Sequence, residues 1–156
     1  MSEPRNLSWP VADLDAVRRL HVMAAAIPGA VVVEARIPAS FDAVWAVASD
    51  LEHEVPRLGW WVRSLRITHA DGDHLDALIH GPIGIRDHFA AVLRPGWCWM
   101  QGRVLCVGMA AVSVPGGTLF AGAAGLRIPG GGTFRPLARR DLDRALRRLA
   151  RHVSEG

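Results

Sequence analysis

Lysine and tyrosine are absent from this 156-residue chain, and cysteine occurs only at Cys98 and Cys106. Two thiols without a paired-Cys spacing exclude a disulfide scaffold and fit a reducing compartment, so the chain reads as cytoplasmic. No apolar run approaches the ~18–20 residues that a membrane helix needs, which argues against stable membrane insertion. Arg18-Arg19 ahead of Leu20 faintly suggests an export signal. However, Asp13 and Asp15 lie just upstream, His21 and Pro28 interrupt the apolar stretch, and Leu14, Val17, Leu20 and Ala24 fall at helical spacing. A short amphipathic helix over 11–26 is the better reading.

Hydrophobic residues make up half of the chain, which excludes disorder, and its length suits one domain with its own core. The formal charge is +3, and all 18 basic residues are Arg. Seven of them fall in 135–156 against Asp141, Asp143 and Glu155, whereas the first 134 residues hold eleven Arg against twelve acids. The C-terminal segment offers only Phe134 as a base-stacking aromatic, so nucleic-acid binding is not expected. Its arginines read as a solvated helix face, or as a surface for an acidic partner such as a carrier protein or anionic lipid. A homodimer is left open.

Periodicity orders the elements. Val31–Ile37 alternates as a strand. Ser40 is placed to cap a helix through Val44, Val47, Ala48 and Leu51, and Pro56 is expected to end a second short helical piece near Leu58-Gly59. Strands are expected over Trp60–Ala70, His74–His80 and Ile85–Leu93, with a hairpin at Asp71-Gly72-Asp73. Trp97–Val114 reads as two strands bent near Gly102, and Thr118–Ile128 as another. A last helix, about 137–153, carries Leu142, Leu146, Leu149 and Val153 on one face. Strands followed by one long helix imply an α+β domain with a sheet wrapped on that helix.

Ile37-Pro38-Ala39, Val44-Trp45, Ser49-Asp50-Leu51-Glu52, Leu93-Arg94-Pro95-Gly96-Trp97, Met109-Ala110-Ala111 and Gly117-Thr118-x-Phe120, in this order, resemble the START-like polyketide cyclase and lipid-transport (SRPBCC) superfamily, in its actinobacterial form. The resemblance covers about residues 31–153 of a single domain, leaving 1–30 as a helical extension that packs over one end of the sheet. It implies a helix-grip fold, in which a curved seven-stranded antiparallel sheet grips the C-terminal helix. An apolar cavity would lie between them, its mouth near the two short helices. It also implies a hydrophobic small-molecule ligand (polyketide, aromatic or lipid-like) and no metal or redox cofactor. Some such proteins cyclise or dehydrate their ligand, and others only carry or sense it. The enzyme reading leans to a cyclase or dehydratase, and no catalytic motif carries over.

Candidate residues follow from alternation. Asp87 shares a face with Phe89, so its carboxylate points inward and must find a partner or a proton. Arg63 shares the face of Trp61, Leu65 and Ile67, and could pair with Asp87 or steady an enolate oxygen. His80, on the solvent side unless the register shifts at Gly81 or Gly84, is a weaker acid–base candidate. Trp61, Phe89, Trp97, Trp99, Met109 and Leu146 are candidate cavity residues, against ordinary core packing. His53-Glu54 lacks the second His of a zinc helix, and His69, Asp71, Asp73 and His74 suit a solvated hairpin tip, so no metal site is expected. Cys98 and Cys106 read as buried, inert thiols. Gly130-Gly131-Gly132 is a hinge into the last helix, since no phosphate-loop residues follow.

Overall fold

A computed structural model describes residues 14–58 and 62–156. The described elements are α1 (Ala16–Ala25), β1 (Val31–Ile37), α2 (Phe41–Ala48), α3 (Leu51–Leu58), β2 (Ser64–Asp71), β3 (His74–His80), β4 (Arg86–Arg94), β5 (Trp97–Gln101), β6 (Leu105–Val114), β7 (Gly117–Leu126) and α4 (Arg135–Glu155). Short 3₁₀ turns at Pro82–Gly84 and Gly131–Phe134 lead into β4 and α4. All seven strands form one antiparallel sheet in the order β1-β7-β6-β5-β4-β3-β2. Chain neighbours pair throughout except that β1 closes against β7, so the first and last strands meet (Val31 opposite Ala124, Ile37 opposite Thr118). This is the expected α+β helix-grip architecture, with α4 held on one sheet face.

Helix starts follow local chemistry. Asp15 accepts from the Arg18 N–H at 2.8 Å, and Ser40 accepts from the Ala43 N–H at 3.2 Å, each satisfying a donor that the first turn leaves without a partner. Pro56 lies inside the last turn of α3, whose end at Leu58 falls where the sequence placed the stop, near Leu58-Gly59. The ring forfeits only its own N–H bond, and the helix closes two residues later, with Val55 anchored in the core. The second strand begins at Ser64; the Trp60 and Trp61 that opened its expected range lie outside the described residues.

Two apolar layers sandwich the sheet. The inner layer joins Leu146 and Leu149 of α4 to Phe89, Cys98, Met100, Met109 and Phe120 of the sheet, with Val44, Leu51 and Val55 from the short helices. The outer layer joins Val17, Leu20 and Ala24 of α1 to Trp97, Trp99, Cys106, Ala110, Ala121 and Ala123. Leu20 and Leu149 are fully buried, each contributing about 1.5–3 kcal/mol of transfer free energy. The N-terminal helix therefore lies across the outer face over β6 and β7 rather than over a sheet end.

Candidate ligand-binding site

Small residues set where space remains. On β7 the inner face carries Phe120, then Gly122 and Ala124, opposite Leu142 and Leu146 of α4. A Cβ at Gly122 would come within 3.2 Å of Leu146 Cδ1 and 3.3 Å of Leu142 Cδ2, so the helix rests on bare backbone here. Beyond it an apolar cavity of about 90 Å³ opens between α4 and the β6–β7 hairpin, with Val55 of α3 and Val62 on its flank. Leu105, Val107 and Met109 of β6 form its floor, and Ala138, Leu142 and Leu146 its roof. Phe134, 42% exposed, stands at the rim where the chain enters α4. Asp141 is the one charged residue in the lining among the described residues.

Met109 and Leu146, two of the candidate cavity residues, line this cavity. Phe89 is fully buried in the inner layer but outside the cavity lining. The expectation for Trp97 and Trp99 is corrected. Both project to the outer face beneath α1, because on β5 the inward positions fall to Cys98 and Met100. Arg19 of α1 sits 5.7 Å over the Trp97 ring, a cation–π contact on that outer layer. Trp61 lies outside the described residues.

The three acid–base candidates stand apart from the cavity lining and from one another's side chains. Asp87 does face inward and is 9% exposed. Its carboxylate accepts the Arg103 N–H on Oδ1 at 3.2 Å and the Val104 N–H on Oδ2 at 3.3 Å, both from the β5–β6 turn. Arg63 is exposed at the bend before β2, where its own N–H donates to the His80 carbonyl at 2.8 Å. The Ile79–Asp87 and His80–Arg86 pairings put His80 on the sheet face opposite Asp87, the solvent side expected for it. Ile85, expected on the inner face, lies outside β4 and is 47% exposed.

Burial pushes the Cys98 thiol up to about 12 and raises that of Cys106, consistent with packing rather than nucleophilic roles. At the β2–β3 hairpin, Asp73 accepts from Arg94 Nε at 2.9 Å. No helix among the described residues is long and apolar enough to cross a membrane.

No family model matches the chain, and no curated protein matches it either. Solved structures do. A START superfamily protein from Mycobacterium smegmatis superimposes with a TM-score of 0.57 at 18% identity, over 81% of this chain and 97% of that one. The KanY protein gives 0.63 at 19% identity, over 81% and 97%. The di-domain ARO/CYC BexL, from the BE-7585A biosynthetic pathway, gives 0.62 at 14% identity over 86% of this chain and 53% of BexL, about one of its two domains. The chain shares the helix-grip fold of the START superfamily protein and of one BexL domain.

Proposed function

We propose that this protein binds a small hydrophobic molecule, or the apolar part of a lipid-like one, in the cavity between α4 and the β6–β7 hairpin. The observation that carries the reading is the lining, where small and aliphatic residues of β6, β7 and α4 surround free space with Asp141 as the one charged member. Volume limits the ligand. A cavity of ~150 Å³ takes a benzene ring, and this one offers about 90 Å³. A one-ring ligand, or anything larger, would therefore move Phe134 and the first turn of α4 outward.

Polyketide and aromatic ligands are the finer classes, supported by the fold shared with BexL. A carrier or sensor role is favoured over cyclisation, because Asp87, Arg63 and His80 stand outside the lining and Asp87 already accepts two backbone N–H groups. Organic extraction of the purified chain, followed by mass spectrometry, tests the reading. A recurrent stoichiometric apolar compound is expected; if none co-purifies and a panel of hydroxylated aromatics gives no saturable binding, the proposal fails.

A further inference from the structure

Exposed apolar side chains are concentrated at one end of this molecule. Among the described residues seven large hydrophobics are exposed, and six of them (Ile83, Ile85, Val104, Ile128, Phe134 and Leu137) belong to the loops and helix start at the cavity end. Hydrogen bonds across the sheet end tie those segments together. Asp87 at the start of β4 holds the Arg103-Val104 turn, the Arg127 N–H donates to the Val104 carbonyl at 2.7 Å, and Arg127 Nη1 donates to the Gly102 carbonyl at 2.9 Å. Arg135 then donates to the Pro28 carbonyl. These loops form one rim. Ile83 stands furthest out, 93% exposed, on a backbone held at φ 62 and ψ 31, a conformation that a β-branched residue rarely adopts.

Arginines surround these apolar tips. Arg63, Arg86, Arg103, Arg127 and Arg135 are all exposed at the same end. The described ion pairs of arginine, Arg18 with Asp15 and Arg94 with Asp73, lie elsewhere. Where Arg127 and Arg135 bond within the rim, the described acceptors are neutral backbone carbonyls. The nearby Asp87 is buried and turned to the β5–β6 turn.

We infer that this rim docks on an anionic lipid bilayer. Separate apolar tips on loops, with guanidinium groups between them, match the depth profile of a membrane interface, where apolar groups reach the acyl boundary and cations meet the headgroups. An acidic protein would match the charge, but it would leave a residue such as Ile83 without a receiving pocket of its own. Phe134 belongs both to the rim and to the cavity lining, so docking would bring the cavity mouth to the bilayer surface. The surface is independent of whether the cavity is filled, so this inference and the binding proposal can fail separately.

Co-flotation of the full chain with vesicles tests it. Phosphatidylcholine vesicles carrying one third phosphatidylglycerol should retain the protein at low salt, and pure phosphatidylcholine should not. The R86Q/R103Q pair should weaken retention roughly thirtyfold, from about fivefold per arginine near an anionic surface. The I83S/I85S pair should weaken it by roughly a hundredfold or more, at about 1.5 kcal/mol or above for each isoleucine buried. Both variants should bind 2-naphthol as the parent chain does. No retention on anionic vesicles, or retention unchanged in both variants, overturns the inference. So does equally tight binding to soluble polyglutamate that ignores the Ile83 and Ile85 substitutions, which would identify an acidic protein as the partner.

Discussion

Asp87 and Gly102 are locked together at the end of the sheet. A Cβ built on Gly102 would lie 2.6 Å from Asp87 Cγ and 2.6 Å from Phe89 Cε1, well inside contact distance. Only glycine lets the β5–β6 turn approach closely enough for Asp87 to receive the Arg103 and Val104 N–H groups. The buried carboxylate therefore caps a turn.

Asp87→Ala should accordingly destabilise the fold by about 1–3 kcal/mol, because it strands two turn donors. Asp87→Asn, which keeps one acceptor oxygen, should cost less. Urea unfolding measures both. An Asp87→Ala protein as stable as the parent would contradict the capping role.

Neither thiol should react in the native state. Cys98 is fully buried with its thiol pushed up to about 12, and Cys106 is raised by the same loss of solvation. The reactive thiolate is therefore scarce at mildly alkaline pH. A disulfide exchange reagent should count no thiols in the folded protein and two after denaturation. One fast-reacting native thiol would show that the sheet opens at β5 or β6.

His53 should titrate above its usual 6.5. Its Nδ1 hydrogen-bonds Asp50 Oδ1 at 2.9 Å, and that bond, followed by the carboxylate's charge, raises it. A raised folded value means that the contribution is fully present below 6.5 and is lost as pH rises through the shifted value. Proton NMR of the imidazole should show Asp50→Asn bringing the titration back down. A midpoint unmoved by Asp50→Asn would remove the pair from solution.

Much of this architecture was legible in the sequence, and the reason is periodicity. Val31–Ile37, His74–His80 and the α4 stripe of Leu142, Leu146 and Leu149 each present a repeat that one secondary structure satisfies. Alternation also placed Asp87 inward, but it could not say what the carboxylate meets, because its partners lie 16 and 17 residues away across a turn. Trp97 and Trp99 went astray for a related reason. Cys98 and Met100 alternate with them, so all four positions are apolar, and both faces of β5 are buried, one under α4's layer and the other under α1. Nothing in period two distinguishes the faces. The cavity itself opens beyond Gly122, where Leu142 and Leu146 already reach the bare backbone, and a run of small residues gives no sign of where the facing helix fills the space and where it does not.

The central claim concerns occupancy of that space, and titration with 2-naphthol, an apolar body whose two rings enter only if Phe134 and the first turn of α4 move outward, tests it most directly. The parent chain should bind one equivalent saturably. Ala124→Leu, which projects three more carbons from the cavity wall, should weaken binding by roughly sixtyfold if it displaces an equal amount of ligand contact, at about 0.8 kcal/mol per buried methylene. Binding that is absent in the parent chain, or unchanged when the cavity is filled, would contradict the account.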